Sequence, residues 1–215
     1  MLLPPFRGNQ WRSLRLERPR VYLRPPQQKD WKTWSEVRQK SREFLSPWEP
    51  TWPYDALTRG AFRRRVRAYN QEMRQGSSYS FLIFRNSDEA LLGGVTLSNI
   101  RRGVAQTASL GYWIGEAHAR QGYMSDALAA VLDFSFGPLG MHRIEAACLP
   151  RNAASRALLT KMGFQEEGFA RQYLRINGAW QDHVLFAILR DDPRKDPDSK
   201  RPTARVRIPE SADAK

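Results

Sequence analysis

Apolar and polar positions along the chain predict an alternation of strands and helices. Strands are predicted at 21–24, 77–85, 90–100 and 107–115. Only short polar turns, NSDE and RRGVAQ, separate the last three of these strands. Strands joined by such short turns pair with their neighbours, so this region predicts an antiparallel meander.

Helical spacing is clearest over 122–137, where one face of the predicted helix is apolar. The residues of that face are Met124, Ala127, Leu128, Val131 and Leu132. Further helices are predicted near 31–42, over 56–75 with an end near Gly76, and over 152–163. Asn152 is a suitable N-cap for the last of these helices, and Gly163 can end it in the left-handed conformation.

The order of the elements predicts the fold class. A strand at 142–150 follows the long helix, and a terminal hairpin at 169–189 turns at an Asn-Gly pair. A strand, a crossover helix and a strand give a parallel pair. We therefore expect an α/β fold with a mixed, mostly antiparallel central sheet and flanking helices. The predicted domain covers 21–190, between a basic N-terminal arm at 1–20 and a disordered, charged C-terminal tail at 191–215.

Composition narrows the function classes. The chain carries a net charge of +13 and one cysteine, Cys148, so no internal disulfide can form. Its three histidines are scattered, and we expect no metal. The first twenty residues lack the apolar stretch of a secretory signal, and no apolar run is long enough to span a bilayer. We expect a cytoplasmic protein with no membrane partner.

Much of the positive charge lies in two arginine-rich segments, 1–20 and 57–75. Such segments either keep a surface soluble or attract a polyanion, such as a charged cofactor, ribosomal RNA or an acidic partner. Aromatic residues are not interleaved with the arginines as they are on a single-strand binding surface, and no DNA partner is expected.

The segment ARQGYM, 119–124, lies where a strand gives way to the long helix. A glycine-bearing turn into a helix presents backbone N–H groups, and the positive end of the helix dipole, to an anion. Gly122 allows a diphosphate to approach the backbone, Gln121 to Ser125 supply amides, and Arg120 adds charge. Such turns are common, so this signal is weak when taken alone.

The segment is part of a wider resemblance: residues 20–190 resemble the GNAT superfamily of N-acetyltransferases, and two motifs carry this resemblance. The superfamily's phosphate loop reads Gln/Arg-x-x-Gly-x-Gly/Ala, and here only Gly122 matches, since Ala119 and Met124 occupy the outer positions. The second motif is NAASRALLTKMGF, 152–164. In the superfamily its asparagine and helix touch the pantetheine and thiol end of acetyl-CoA.

Several distant segments, among them FLSPWEP, SNIRRG, LGYWIG and HRIEA, narrow the resemblance to bacterial ribosomal-protein-alanine N-acetyltransferases of the RimJ type. The resemblance implies acetyl-CoA as the donor and the N-terminal amine of a small-subunit ribosomal protein as the acceptor, with the ribosome as a further candidate partner. The expected cofactor-binding residues are Tyr112, Trp113, Ile114, Arg120, Gln121, Gly122, Tyr123, Met124, Ser125, Asn152 and Ser155.

Candidates for the chemistry come from the residues and from this resemblance together. Ser155, in the first turn of its helix, is the first candidate for the acid that protonates the leaving thiolate; its alternative role is that of a capping hydroxyl. Leu159 stands where many relatives carry a tyrosine acid. Glu145 is a candidate base, or one partner of a structural ion pair. Tyr173, on the terminal hairpin, is a further hydroxyl.

The proline-broken segment SPWEPTWPYD, 46–55, is expected to shape a groove for a peptide end. Its candidate substrate-binding residues are Trp48, Glu49, Trp52 and Tyr54, with Glu49 placed to pair with an ammonium group. Two other functions stay open at this point. One is acetyl transfer to a small amine, and the other is a ribosome- or RNA-associated binding module without turnover.

Overall fold

A computed structural model describes residues 10–194 and the backbone of 205–207, and within these residues one nine-stranded sheet organises the molecule. Its strands are β1 Arg15–Glu17, β2 Val21–Arg24, β3 Tyr79–Arg85, β4 Leu91–Arg101, β5 Thr107–Ile114, β6 Arg143–Cys148, β7 Gln165–Ile176, β8 Ala179–Leu189 and β9 Arg205–Arg207. Their order across the sheet is β7-β8-β6-β5-β4-β3-β2-β1-β9.

Five α-helices accompany the sheet in the described residues: α1 Trp31–Lys40, α2 Arg42–Leu45, α3 Arg59–Gln75, α4 Tyr123–Phe136 and α5 Ala153–Lys161. Every strand pair is antiparallel except β5 with β6, whose crossover connection contains α4. The predicted meander, the parallel pair and the mixed, mostly antiparallel fold class are confirmed.

The parallel pair opens along its length. Partners are found only between 107–109 of β5 and 143–145 of β6. Beyond this point the strands separate, and β6 continues its pairing with β8 while β5 continues with β4. The edge of 110–114 that faces β6 therefore borders a cleft. In the chain, α4 follows β5 and α5 follows β6.

Helices cover both faces of the sheet with aromatic side chains. On one face, Phe134 of α4 meets Tyr79 and Phe81 edge to face, at ring-centroid distances of 5.4 and 5.7 Å. On the other face, Trp34 of α1 and Phe62 of α3 pack with their ring centroids 4.8 Å apart. The long helix α4 is buried on almost all sides, which fixes the position of its N-terminus relative to β5.

The ends of the helices follow the capping chemistry of the sequence. Thr58 accepts a hydrogen bond from the Ala61 N–H at the start of α3, and Gly76 ends that helix with φ of 67°. Asn152 caps α5, and Gly163 follows the helix with φ of 93°. These ends agree with the sequence-based boundaries within a few residues.

The N-terminal segment differs from the predicted basic arm at 1–20. Residues 1–9 lie outside the described residues, but Trp11, Leu14 and Leu16 are each at most 1% exposed in the main core. The strand β1 also pairs with β2. The arginines of this segment suggested a basic arm, but the apolar residues between them are part of the core.

The C-terminal segment differs from the predicted disordered tail in its described parts. Asp192 accepts a hydrogen bond from the Leu189 N–H at 2.9 Å, and Arg194 forms an ion pair with Asp133 at 2.7 Å. The strand β9 pairs with β1. The remaining residues, 195–204 and 208–215, lie outside the described residues.

The described residues contain neither a membrane-spanning helix nor a cluster of metal ligands. No helix there combines the length and the apolar character that a bilayer crossing demands. No group of three or more His, Cys, Asp or Glu side chains in the same residues is arranged to hold a metal ion.

Candidate active site

The open edge of β5 carries backbone N–H groups directed into the cleft. The Gly115 N–H donates to the Leu92 carbonyl of β4 at 2.8 Å. Because successive N–H groups of a strand point to opposite edges, those of Ile114 and Tyr112 face the β6 side, whereas that of Trp113 faces β4. Of the three predicted amides, this geometry directs two into the cleft.

The start of α4 is the second part of the site. Gly122, with φ of 83°, is the N-cap and provides no side-chain cap. The first bond into the helix runs from the Asp126 N–H to the Gly122 carbonyl at 3.2 Å. The N–H groups of Gly122 to Ser125 have no acceptor among the described residues. They and the helix dipole give this turn the character of an anion site.

One arginine that the sequence did not single out lies against this turn. Arg20 Nε bonds to Asp126 Oδ2 at 2.7 Å, and Arg20 Nη1 bonds to the Gln121 carbonyl at 3.1 Å. A Cβ placed on Gly122 would lie 2.8 Å from Arg20 Nη2. Arg20 precedes β2, about a hundred residues from the turn, so sequence proximity gave no signal for this contact.

The predicted acid lies in a cluster of hydroxyl groups. Ser155 Oγ is 2.7 Å from the Tyr112 hydroxyl, and the Ser155 N–H donates to Asn152 Oδ1 at 3.0 Å. Burial raises the pKa of Tyr112, and the hydrogen bond with Ser155 opposes that shift only in part. The Tyr112–Ser155 hydrogen bond thus connects β5 to the start of α5, beside the cleft between β5 and β6.

Cys148, at the end of β6, completes this cluster. Burial raises the pKa of its thiol, and a hydrogen bond with Ser155 lowers it by less. The side chain is 6% exposed. A neutral, buried thiol is a poor nucleophile, so Cys148 packs here as a small apolar side chain.

The structure does not bring Glu145 into this cluster. Its carboxylate pairs with Arg143 at 3.0 Å and with Arg101 at 3.6 Å. It lies opposite Ser109, where β5 and β6 are still paired. The ion pair that the sequence offered as the alternative to a base is therefore present, and Arg143 is one of its partners.

Neither Tyr173 nor Leu159 supplies a group to the hydrogen bonds described for the Ser155 hydroxyl. Tyr173 lies in a bulge of β7, about half exposed, with its ring 5.7 Å from that of His183. Leu159 is 1% exposed and belongs to the core. No hydrogen bond in the described residues joins Tyr173 to Ser155.

The aromatic segment is organised by another residue that the sequence did not single out, Arg38. Its guanidinium bonds both oxygens of Glu49, at 2.7 and 2.6 Å, and Trp52 Nε1 donates to the same carboxylate at 2.8 Å. The guanidinium also lies 4.2 Å from the centre of the Trp52 ring and 4.8 Å from that of Trp113. Glu49 therefore holds the segment together, and its carboxylate is already neutralised.

This segment meets the terminal hairpin. The Asn177 N–H donates to the Glu49 carbonyl at 2.9 Å. Arg151, next to the cap of α5, lies 5.7 Å from the Trp48 ring and bonds Gln181 of β8 at 3.2 Å. Tyr54 is fully exposed. The segment and the hairpin are therefore in direct contact, and Arg151 connects both to the start of α5.

Comparisons with known proteins agree with this arrangement. The family profile described as "Acetyltransferase (GNAT) domain" matches residues 20–165. The chain is 38% identical over 172 residues to a Bacillus subtilis protein named "Probable N-acetyltransferase YjcK", covering 80% of this chain and 95% of that one. It is 33% identical over 180 residues to the Escherichia coli [Ribosomal protein uS5]-alanine N-acetyltransferase, covering 84% and 93%.

Two solved structures share both sequence and fold with the chain. Mycobacterium smegmatis RimJ in complex with CoA-disulfide is 34% identical with a TM-score of 0.77, over 84% of this chain and 88% of that one. The Vibrio fischeri ribosomal-protein-S5-alanine acetyltransferase is 30% identical with a TM-score of 0.77, over 83% and 97%.

Proposed function

The chain belongs to the GNAT acetyltransferase family, and from that premise we propose that it acetylates the N-terminal α-amine of a ribosomal protein whose first residue is alanine. The observation that carries this proposal is the 33% identity to the E. coli uS5-alanine enzyme, which extends over 93% of that enzyme. The V. fischeri structure, with a similar name, supports it.

The donor is acetyl-CoA, and the site has a place for each part of it. The M. smegmatis relative was solved with a CoA derivative. In the present chain, the N–H groups of Gly122 to Ser125 suit the diphosphate. The cleft between β5 and β6 suits the pantetheine arm and the thioester, because its wall exposes the backbone N–H groups of Tyr112 and Ile114 to a developing oxyanion.

Acetyl transfer forms a bond from the amine nitrogen to the carbonyl carbon and breaks the carbon–sulfur bond. The thiolate then needs a proton. Ser155 can donate it and recover one from Tyr112, whose hydroxyl lies 2.7 Å away, and Tyr112 in turn is reprotonated by water, which has taken up the proton released by the amine. The nitrogen loses its proton to water, since an N-terminal amine has an unperturbed pKa of about 8 and needs little assistance.

Glu145 is not assigned to the base, because two arginines already hold its carboxylate. Tyr173 becomes the next acid to test if Ser155 fails. The acceptor is proposed to enter along the aromatic segment and the hairpin turn. The aromatic segment and the terminal hairpin carry exposed apolar side chains at Tyr54, Phe169, Tyr173, Leu174 and Trp180, which suits a polypeptide acceptor.

A small polyamine is a poorer acceptor for the same surface. Arg42 faces Trp52, and Arg151 faces Trp48, so a polycation would meet like charges. A ribosomal substrate also implies a cytoplasmic site of action and encounters with the ribosome, where the net positive charge favours approach to polyanions.

The proposal is tested with purified protein, acetyl-CoA and three acceptors. These are a peptide that begins with alanine, the same peptide with a blocked N-terminus and an internal lysine, and spermidine. Mass spectrometry should find one added acetyl group on the first acceptor alone. Turnover of spermidine with an inert peptide would instead support a small-amine enzyme. Salt-dependent RNA binding without CoA binding would support a module that lacks turnover.

A further inference from the structure

The phosphate loop lacks a charged side chain where related loops carry a polar or basic one. In the family pattern Gln/Arg-x-x-Gly-x-Gly/Ala, the first position is occupied here by Ala119. An alanine methyl cannot bond a phosphate oxygen. The backbone N–H groups of the turn remain, but a diphosphate carries more charge than they alone neutralise.

We propose that Arg20 adds a cation to the diphosphate site from outside the loop, in place of the side chain that Ala119 lacks and alongside Arg120 of the loop, and that Asp126 positions it there. This assignment rests on acetyl-CoA as the donor and is independent of the identity of the acceptor. It makes Arg20 a residue that binds the donor substrate, with Asp126 acting through it.

The position of the Arg20 guanidinium carries the proposal. Its Nη2 lies 2.8 Å from the position that a Cβ of Gly122 would take, and its Nη1 bonds the Gln121 carbonyl at 3.1 Å. The guanidinium is therefore beside the same N–H groups that form the anion site. Its side chain is 48% exposed, so a ligand can reach it from solvent.

Asp126 explains why this side chain points at the turn. Its carboxylate, 8% exposed in the first turn of α4, accepts from Arg20 Nε at 2.7 Å. An isolated buried carboxylate at this place would repel a diphosphate, and its pair with Arg20 removes that repulsion. The planar guanidinium can bond a carboxylate on one side and a phosphate on another, which the single ammonium of a lysine does less well.

The neighbouring arginine, Arg85, fits this role less well. Its guanidinium makes two bonds to the carboxylate of Asp88, at 2.8 and 2.6 Å, and reaches the Tyr123 hydroxyl only at 3.5 Å. Asp88 thus engages two of its three nitrogens, whereas Asp126 engages Arg20 through Nε. Arg20, in contact with Gly122 itself, is the arginine that the geometry assigns to the phosphates.

The test measures the dissociation constant of CoA by calorimetry for the parent protein and for Arg20→Ala, Arg20→Lys and Arg74→Ala. Arg74 lies exposed in the last turn of α3 and controls for the loss of one positive charge. Loss of a charge-assisted hydrogen bond should weaken CoA binding about 10- to 100-fold in Arg20→Ala. Arg20→Lys should be intermediate, and Arg74→Ala should stay within about twofold.

Two further readouts separate ligand binding from a structural role. The melting temperature without ligand reports whether each variant is folded. The affinity difference between the parent and Arg20→Ala should shrink at high salt, because a partly exposed ion pair is screened. CoA affinity within about twofold of the parent in Arg20→Ala, or an equal loss in Arg74→Ala, would overturn the assignment. If Arg20→Ala does not fold, parental CoA affinity in Arg20→Lys would overturn it.

Discussion

At the start of α5, the backbone and the side chain of Ser155 make separate contacts. Its backbone N–H satisfies the cap through Asn152, which leaves its side chain directed to Tyr112. The capping role and the acid role are therefore carried by different atoms. A serine that only capped the helix would use its own hydroxyl oxygen for the backbone.

Removing either hydroxyl of the Ser155–Tyr112 pair should slow acetyl transfer. General acid catalysis contributes about 10²- to 10⁴-fold, so Ser155→Ala should lower kcat within that range on an alanine-starting peptide. Tyr112→Phe should lower it as well, and the double variant should lose little more than the worse single variant. Steady-state kinetics give these values.

The control for this pair is Ser35→Ala, which removes a hydroxyl on the exposed side of α1. It should leave kcat unchanged. If Ser155→Ala keeps kcat within about threefold of the parent, below the general-acid range, Ser155 serves the helix alone. Tyr173→Phe would then be examined next.

The value of kcat/KM should rise with pH and should not fall again below about pH 10. The acceptor amine must be neutral, so kcat/KM should increase through about pH 8, its unperturbed pKa. Burial disfavours the phenolate of Tyr112 and raises its pKa; since the proton is retained longer, loss of the acid should not occur below about pH 10. A falling limb between these values would show that another group is the acid.

At the scale of elements, the turn into α4 depends on the conformation of one glycine and the space around it. Gly122 has φ of 83°, and a Cβ there would approach the Arg20 guanidinium to 2.8 Å. The positive φ disfavours any other residue, and a Cβ would also displace the end of the Arg20 side chain from the turn.

Gly122→Ala should therefore impair donor binding more than folding. CoA should raise the melting temperature of the parent protein, as any ligand selective for the native state does, and most of this increase should be lost in Gly122→Ala. Gly103→Ala is the matched control, because Gly103 also has positive φ, 67°, but no atom lies within 4 Å of its Cβ position. Equal CoA-induced shifts in the two variants would place the phosphates elsewhere.

Secondary-structure elements differ in how well the sequence predicts them. Strands and helices with clear periodicity, such as α4 and β3 to β5, were predicted because their pattern and their turns are local. The short strand β1 was missed because arginines dominate its segment, and its burial depends on pairing with β2. Local pattern predicts elements; it does not predict which distant side chains meet.

The candidate site divides in the same way. Gly122, Asn152 and Ser155 were predictable because caps and turns have local signatures. Arg20, Arg38 and the Tyr112–Ser155 hydrogen bond were missed, because each joins residues far apart in the chain. Glu49 was predicted as an ammonium partner, and only the folded structure shows that Arg38 holds its carboxylate.

At the scale of the whole molecule, Asp133 connects α4 to segments near both ends of the chain through two ion pairs. It lies on α4 and bonds Arg18 near the N-terminus at 2.6 Å and Arg194 near the C-terminus at 2.7 Å. The Arg18 side chain is 4% exposed, whereas that of Arg194 is 36% exposed. The two ion pairs should therefore contribute unequally to stability.

Asp133→Ala should destabilise the fold by about 3 kcal/mol, because it leaves the buried Arg18 charge without this partner. For a chain of this size that corresponds to a melting temperature lower by about 6–12 °C. Arg194→Ala, the control, should change the free energy of unfolding by less than about 1 kcal/mol. Equal effects of the two substitutions in thermal denaturation would contradict this unequal assignment.

The identity of the acceptor is the central claim about the molecule as a whole, and the most direct measurement is intact-mass analysis of ribosomal proteins from cells with and without this protein. We predict that one small-subunit protein that begins with alanine carries an N-terminal acetyl group only when the active protein is present. Re-expression of the parent, but not of Ser155→Ala, should restore full acetylation. Identical N-termini in both kinds of cells would contradict the account.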